Sequence, residues 1–371
     1  MNDPFDDVPT PRPPRRRLAL AVAAVLSLSG IFGVSPQVVA AASPRAPAAG
    51  DGNVASAPSR SDHAVRDYWT PERMRGARDA GSLVSPAPPR SASSAEAEAP
   101  GAPESVPGAT GSLGPAPAET GAENYAATTV PRPYTDLPDR LNGKVFFTKT
   151  TRPGGNFVCS GTLVNNSRKN LVITAGHCVH GGDGGQFHDN WLFVPAYDGT
   201  KTGTAQRPYG TWTARELFTR DAWIDNSDNT QDIGVALLAN GSDGQPLGAT
   251  IGGQGITFNV SASQNFSDFG YPAARPFDGT SQWRCNSTLR GRDTGIPGTG
   301  PDPLRIECDM TGGSSGGGWL INIGSNGIGF VNSVNSYGYP TFDPGFEYGP
   351  YFGNEAKSLY DFAKDRGPAP K

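Results

Sequence analysis

Between residues 144 and 337 the chain carries short apolar or alternating runs, separated by clusters of Gly, Asn, Asp and Pro. These runs are KVFFTKT (144–150), NFVCSGTLV (156–164), NLVIT (170–174), NWLFVP (190–195), DIGVALL (232–238), QWRCNSTL (282–289), LRIEC (304–308), GGWLIN (317–322) and GIGFVNSVNSY (327–337). Many short strands with frequent turn signals are typical of a β-sandwich or barrel. The pattern therefore predicts an all-β domain over residues 131–371.

The C-terminal stretch EAKSLYDFAKDRG differs from the rest of the domain because its apolar residues recur with helical spacing. Ala356, Leu359, Tyr360 and the pair Phe362–Ala363 lie on one stripe of such a helix. We expect one helix here, packed against the β domain.

The N-terminus has the features of a secretory signal peptide over residues 1–42. Arg15-Arg16-Arg17 precedes the apolar run LALAVAAVLSLSGIFGV (18–34), and small residues follow up to Ala42. A basic stretch, an apolar run and a small-residue cleavage site predict export and a secreted mature protein with no stable membrane partner. A retained membrane anchor is the alternative. Because Arg15-Arg16 precedes the apolar run, both the twin-arginine route and the general secretory route are compatible with the sequence.

Residues 43–130 are rich in Ala, Pro, Ser, Glu and Gly. Such a composition buries little apolar surface, so it predicts a largely disordered pro-region or linker. One island, HAVRDYWTPERMRGA (63–77), interrupts it, and Thr70 is placed to cap a short helix that begins with Pro71. This island is either a pro-segment that contacts the enzyme or an isolated helical turn. The change in texture predicts a mature N-terminus between Gly121 and Leu141.

Charge and cysteine content narrow the function classes. The net charge of −4 over 371 residues leaves no basic footprint for nucleic acid. Four cysteines in an exported chain predict two disulfides. Sequence order favours Cys159–Cys178 and Cys285–Cys308, while leaving other pairings open.

Two glycine-flanked motifs carry candidate chemistry. His177 ends a strand-like run in NLVITAGHCVHGG, and Ser315 lies among glycines in DMTGGSSGGGWL. The G-x-S-x-G spacing matches the nucleophile elbow of α/β-hydrolases, but those enzymes place a histidine after the serine and no histidine follows His188 here. With Asp232 at the start of DIGVALL, the order is histidine, aspartate, serine, which is the order of the chymotrypsin triad.

The successive segments CSGTLV, TAGHC, DIGVALL and GGSSGG resemble the landmarks of trypsin-like serine peptidases. Between about Leu141 and Arg366 the chain is similar to secreted bacterial members, including glutamyl endopeptidase-like peptidases. The resemblance implies two antiparallel six-stranded β-barrels with a C-terminal helix. It also implies a monomeric endopeptidase that acts on protein or peptide substrates without a cofactor or metal.

The same resemblance assigns roles to particular residues. Ser315 would be the nucleophile, His177 its general base and Asp232 the group that orients the histidine. The backbone N–H groups of Gly313 and Ser315 would form the oxyanion hole. The residue before the nucleophile is Ser314, where many relatives carry the aspartate that pairs with the new N-terminus on activation. That activation switch is therefore not expected here.

Substrate preference is predicted from the residues around the expected pocket. Ser333 and Asn335 would lie near the pocket wall, on a strand that lacks the histidine of glutamate-specific relatives. Asp309 lies six residues before Ser315, the spacing at which trypsin-like enzymes carry a carboxylate for Arg or Lys, so the resemblance implies that it would meet a basic side chain before the scissile bond. Small or polar side chains are the alternative preference.

Two other function classes fit parts of the sequence. The side chains of His177, Cys178, His180 and His188 could form a metal site, although their spacing is loose. A catalytically inactive peptidase that serves as a binding module is the third class, but all three triad candidates are intact.

Overall fold

The computed structural model describes residues 51–84, 101–114, 124–151 and 154–366. The strands are β1 (Asn53–Ser56), β2 (Arg78–Asp79), β3 (Glu104–Val106), β4 (Asn124–Thr129), β5 (Asn142–Lys149), β6 (Gly155–Val164), β7 (Leu171–Thr174), β8 (Asp189–Pro195), β9 (Trp212–Arg220), β10 (Gly234–Leu238), β11 (Gly255–Phe258), β12 (Asn265–Gly270), β13 (Trp283–Arg292), β14 (Leu304–Glu307), β15 (Gly318–Ile321), β16 (Phe330–Val334), β17 (Tyr337–Tyr339) and β18 (Asp343–Gly349). The helices are α1 (Asp62–Tyr68), α2 (Pro71–Arg75), α3 (Gly203–Gln206), α4 (Asp221–Asn226), α5 (Leu247–Ile251) and α6 (Asn354–Ala363).

The first sheet contains a closed barrel of six antiparallel strands. Its ladders run β5–β6–β7–β10–β9–β8, and β8 pairs in turn with β5. Each barrel strand pairs on both sides over part of its length, and β5, β7 and β10 bury nearly every residue. This barrel matches the first of the two that were predicted.

The second sheet is larger than the predicted six-stranded barrel. Its ten strands include the path β17–β18–β14–β13–β12–β15–β16–β11–β3, and β4 pairs with β13. The ladders among the described residues form this open path, to which β11–β16 contributes one parallel pair. The predicted all-β class and the C-terminal helix are confirmed, and the extra strands come largely from the N-terminal region.

Strands that bury both faces were the easiest to predict. Every apolar run named above lies in or overlaps a strand. Strands β9 (WTARELFTR) and β18 (DPGFEYG) were not predicted, because their sequences lack a continuous or alternating apolar pattern. Their polar and glycine-containing sequences become strands through ladders with distant partners, such as the pairing of β18 with β14. Strand propensity is a property of that context more than of the local sequence.

The region 43–130 differs from its predicted disorder wherever the structure describes it. Strand β1 pairs with β9, β3 pairs with β11, and β4 pairs with β13. Edge strands offer unpaired backbone groups, so a polar segment with little apolar surface can still be ordered by adding to them. The predicted signal peptide, residues 1–42, lies outside the described residues.

The predicted helical island is confirmed as helix α2. The hydroxyl of Thr70 accepts from the backbone N–H of Arg73, and Pro71 occupies the first helical turn. The preceding residue Trp69 is buried and its indole N–H donates to the carbonyl of Asn190 at 2.6 Å. Of the two interpretations of this island, contact with the β domain is the one observed.

The C-terminal helix α6 buries the expected stripe. Ala356, Leu359, Tyr360 and Ala363 are all buried in the main hydrophobic core. Tyr360 also donates its hydroxyl to the carbonyl of Asn165 at 2.8 Å. No helix in the described ranges has the length and hydrophobicity needed to cross a bilayer.

Candidate active site

His177 and Asp232 meet where the turn after β7 lies beside the residues that precede β10. Nδ1 of His177 lies 2.7 Å from Oδ2 of Asp232, and the backbone N–H of His177 donates to Oδ1 at the same distance. Both side chains are buried, so this pair is shielded from solvent. The second ring nitrogen, Nε2, has no hydrogen-bond partner in the described chain. The aspartate thus orients the ring and leaves one nitrogen available for proton transfer.

Close backbone approach at Gly176 makes this pairing possible. A Cβ there would lie 2.9 Å from Oδ1 of Asp232 and 2.9 Å from the hydroxyl of Thr219. Because real Cβ atoms do not reach such distances, the position requires glycine. The sequence motif G-H-C therefore has a steric cause.

The loop that carries Ser315 turns sharply between strands of the second sheet. Gly313 and Gly316 have φ values of +103° and +81°, a region that favours glycine. Among the described residues, no partner accepts the backbone N–H groups of Gly313 and Ser315. Two free amides two residues apart on one tight turn are the arrangement that an oxyanion hole needs.

Ser160 of β6 holds this loop against the first barrel. Its hydroxyl donates to the carbonyl of Gly313 at 2.9 Å, and its backbone N–H donates to the carbonyl of Ser315 at 2.7 Å. The same hydroxyl accepts from the backbone N–H of Tyr271. Sequence reasoning missed Ser160, although its place directly after Cys159 in C-S-G was visible.

Both predicted disulfides are present. Cys159 is bonded to Cys178 and Cys285 is bonded to Cys308. Sγ of Cys178 also lies 3.6 Å from the carbonyl oxygen of Ser315. The first disulfide therefore brings the residue after His177 next to the serine loop, which places the three triad candidates in one region.

The residues of the alternative metal site have other contacts. Cys178 is bonded to Cys159, so it offers no thiolate. Nδ1 of His180 accepts from the N–H of Gly182 at 3.1 Å. Nδ1 of His177 faces Asp232, and Nε2 of His188 faces the carbonyl of His177.

His188 supports the candidate base His177 through the backbone. Its Nε2 lies 3.0 Å from the carbonyl of His177, and its ring stacks on Phe147 with centroids 4.2 Å apart. Burial lowers the pKa of His188 to about 3, so the ring is neutral and its Nε2–H donates to that carbonyl.

A cavity of about 610 Å³ lies beside Ser315. Asp309 is on its lining but is exposed, and its Oδ1 accepts from the backbone N–H of Ala127 at 2.7 Å. Ser333 and Asn335 are fully buried and are not part of that lining. The hydroxyl of Ser333 donates to the carbonyl of Pro350. Of the three predicted pocket residues, the structure brings only Asp309 to the cavity.

No family model matches the sequence. The chain is 38% identical to the thermostable serine protease AL20 from an extremophilic microorganism, with a TM-score of 0.53. It is also 38% identical to the protease Anisep from Arthrobacter nicotinovorans, with a TM-score of 0.54. In each case the match covers 62% of this chain and 99% of the solved one. The chain belongs to the trypsin-like serine proteases.

Two further similarities were found, one to a solved structure and one to a curated protein. A Glu endopeptidase structure with 18% identity and a TM-score of 0.50 has the same fold over 65% of this chain and 97% of that chain. An extracellular metalloprotease from Bacillus subtilis is 31% identical over 149 residues, which are 39% of this chain. The chain spans 42% of the length of that curated relative. Within a trypsin-like serine protease, the cavity beside Ser315 is the expected place for substrate.

Proposed function

We propose that the protein is a secreted endopeptidase that hydrolyses peptide bonds through His177, Asp232 and Ser315. The observation that carries this proposal is the buried His177–Asp232 pair, whose free Nε2 belongs to the same region as the Ser315 turn. Histidine held in this way acts as a general base toward a serine hydroxyl.

In the first half-reaction, Oγ of Ser315 attacks the carbonyl carbon of the scissile bond and its proton passes to Nε2 of His177. The electron pair of the carbonyl moves to the oxygen, which the N–H groups of Gly313 and Ser315 stabilise. Each such donor typically contributes about 2.7–4 kcal/mol. The C–N bond then breaks, and the leaving amine takes the proton from His177, which leaves an acyl-enzyme.

In the second half-reaction, His177 takes a proton from water while the water oxygen attacks the acyl carbon. The bond to Oγ of Ser315 breaks, and His177 returns the proton to that oxygen. Asp232 keeps its contact with Nδ1 of His177 and stabilises the transient imidazolium. No cofactor enters either half-reaction.

Secretion and maturation are part of the same proposal. Residues 1–42 would be removed as a signal peptide, and residues 43–130 would act as a pro-region, with a mature start between Gly121 and Leu141. Two disulfides and an extracellular Bacillus relative support an oxidising location. Protein or peptide substrates would be cleaved by a monomer.

A serine-reactive fluorophosphonate tests this function. The folded protein should be labelled, and mass spectrometry should place the label on Ser315. The variant Ser315→Ala should lose the label and lower kcat by a factor on the order of 10⁴–10⁶. Ser314→Ala should keep the label, because the Ser314 hydroxyl donates to the carbonyl of Thr311 rather than facing His177.

An inactive peptidase homologue that acts as a binding module would not be labelled, even with Ser314 and Ser315 both present. Labelling on Ser314 instead of Ser315 would contradict the assignment of the nucleophile. Labelling that survives Ser315→Ala but disappears with Ser314→Ala would do the same.

A further inference from the structure

The base of the cavity beside Ser315 contains a carboxylate that sequence reasoning did not single out. Glu347 lies on β18, between its ladder partners Ile306 of β14 and Gly338 of β17. Its side chain lines the cavity, yet the residue is only 6% exposed. It therefore sits deep in the cavity rather than at its rim.

The surroundings of Glu347 offer little compensation for its charge. Its Oε1 lies 3.3 Å from the hydroxyl of Ser314, whose one proton is shared with the carbonyl of Thr311 at 3.0 Å. The charged groups that act on it in the described chain are the carboxylates of Asp268 on β12 and Asp309 on the cavity lining. No described Arg or Lys forms an ion pair with Glu347. A buried carboxylate among other carboxylates is unfavourable unless a cation joins it.

The cavity lining also suits the stem of a long basic side chain. Met310 and Tyr339 contribute apolar surface to the same cavity. Lysine and arginine bury their methylene stems along such surface while the charged head reaches a polar partner. A substrate carboxylate in the same place would instead meet the carboxyl groups of Glu347 and Asp309.

We propose that Glu347 is the residue that selects an arginine or lysine side chain before the scissile bond. This inference rests on the proposed peptidase function and specifies its substrate class. It also revises the role expected for Asp309, whose carboxylate is engaged by the backbone of β4 at the exposed side of the cavity. A guanidinium or ammonium group would supply the counter-charge that Glu347 lacks.

The ionisation of Glu347 adds a second signature. Burial, assisted by the charge of Asp268, raises the pKa of Glu347 well above its usual value. The ionised form is therefore populated only as the pH rises through that raised pKa. Because a cationic side chain binds the ionised form, the ratio of kcat/KM for Arg to that for Ala substrates should rise with pH. Any pH dependence of the catalytic steps common to both substrates cancels in this ratio.

The experiment compares matched peptides with Arg, Lys, Ala or Glu before the scissile bond. The intact enzyme should prefer Arg and Lys and should disfavour Glu. Glu347→Gln should lower the Arg-to-Ala ratio by about tenfold or more. The control Glu307→Gln changes a glutamate on β14 that pairs with Arg290, and it should leave the ratio unchanged.

Two outcomes would overturn the role of Glu347. One is an Arg-to-Ala ratio that is unaffected by Glu347→Gln, and the other is a wild-type ratio that does not change with pH. The second measurement needs no variant, so it holds even where Glu347→Gln does not fold. Fluorophosphonate labelling of Ser315 separates these outcomes from a failure of the peptidase function itself.

A different observation supports a second inference, on the regulation of the same site. Strand β2 pairs in parallel with β6 at Phe157 and Val158, immediately before Cys159. The short 3₁₀ turn Ala80–Leu83 follows it. Ala80 is completely buried in the main hydrophobic core. The N-terminal region thus enters the catalytic face of the molecule.

The turn contacts the serine loop and the cavity. A Cβ at Gly81 would lie 2.8 Å from Cα of Gly312, the residue before Gly313. Asp79, Gly81 and Val84 line the same cavity as Ser315. Residues 78–84 therefore border the cavity beside Ser315 on the side of Gly312.

Helices α1 and α2 fasten this segment to the first barrel. Val65, Trp69 and Met74 are buried in a cluster that includes Phe146 and Tyr271. Arg78 places its guanidinium 4.6 Å above the ring centre of Phe157. The segment is thereby held as part of the folded structure.

We infer that residues 78–84 are an inhibitory plug that restricts large substrates until the pro-region is displaced or cleaved. Gly81→Val in the full chain adds side-chain atoms that clash with the backbone of Gly312 and should lift the turn. The variant should cleave a protein substrate such as casein several-fold faster than the unprocessed wild-type chain. Gly76→Ala is the control, because Gly76 lies in the same N-terminal region but not on the cavity lining, and it should leave the rate unchanged.

A synthetic peptide with the sequence of residues 62–84 should inhibit the Gly81→Val variant again. An unchanged rate in a folded Gly81→Val chain, or a peptide without effect on it, would overturn the plug. Fluorophosphonate labelling of Ser315 in a separate sample of that variant shows that the serine is reactive. A failure of the plug is thereby distinguished from loss of the peptidase function.

Discussion

The hydroxyl of Ser336 donates a hydrogen bond of 2.6 Å to Oδ2 of Asp232. The same oxygen faces Nδ1 of His177, so the aspartate is held from two sides. Ser336 lies between β16 and β17 of the second sheet, whereas Asp232 precedes β10 of the first barrel. The orientation of the candidate base thus depends on both sheets.

Removal of this hydroxyl should affect catalysis more than binding. A hydrogen bond to a charged group contributes about 1.5–3 kcal/mol, so Ser336→Ala should lower kcat by about tenfold or more with little change in KM. Steady-state kinetics on one peptide substrate checks this split. Ser333→Ala, which removes a buried hydroxyl bonded to Pro350, is the matched control and should alter thermal stability without lowering kcat. Equal effects of the two variants on kcat would contradict the positioning role of Ser336.

The disulfide Cys159–Cys178 closes a loop with a sequence separation of 19. Replacing both residues by Ser should lower the free energy of unfolding by about 3 kcal/mol, mainly because the unfolded chain is less constrained. Urea denaturation of the two proteins measures the difference. The double variant should also lose activity, since Cys178 lies between His177 and the carbonyl of Ser315. Stability within about 0.5 kcal/mol of the wild type would contradict this expectation.

His188 should make the protein less stable in acid. Its pKa is about 3 in the folded state, because burial disfavours its charged form. In the unfolded chain the usual value is about 6.5, so the unfolded state binds a proton first as the pH falls. Stability is therefore fully present above about pH 6.5 and decreases toward pH 3. The loss from this group should reach about 2 kcal/mol at pH 5.

The variant His188→Gln tests this origin of acid sensitivity. Its amide can still donate to the carbonyl of His177, but it does not titrate. Denaturation at pH 5 and pH 8 should show a smaller difference for the variant than for the wild type. An identical pH dependence in both proteins would exclude His188 as a cause.

Asp268 should make the protein less stable as the pH rises, which is opposite to the effect of His188. It is fully buried, its Oδ1 accepts from Asn335 at 2.8 Å, and its Oδ2 has no partner in the described chain. Burial raises the pKa of Asp268 well above its usual value. A raised pKa in the folded state means that stability is lost as the pH rises from the usual value through the raised one.

Asp268→Asn should therefore stabilise the protein at pH 8 relative to the wild type, with a smaller effect at pH 4. The amide resembles the protonated carboxyl and leaves the bond from Asn335 possible. Thermal denaturation at the two pH values is the measurement. A variant that is less stable than the wild type at pH 8 would show that the carboxylate is charged and compensated in the folded protein.

From the sequence alone one can predict the features that depend on neighbouring residues. The buried strands, the capped helix at Pro71 and the stripe of α6 follow from local periodicity and capping. The candidates His177, Asp232 and Ser315 were predicted from their order along the chain and from the resemblance of their motifs to those of trypsin-like peptidases. The two disulfides follow the order of the cysteines along the chain.

Contacts between distant segments were decided by the tertiary structure. Ser160 and Gly313 are 153 residues apart, and Ser336 and Asp232 are 104 residues apart, so no local pattern announces either bond. The pocket residue Glu347 lies in the polar strand β18, which exists only through its ladders with β14 and β17. Residues 78–84 are ordered for the same reason. Local composition shows how little apolar surface a segment has, but the open edge of a strand elsewhere decides whether that segment can pair.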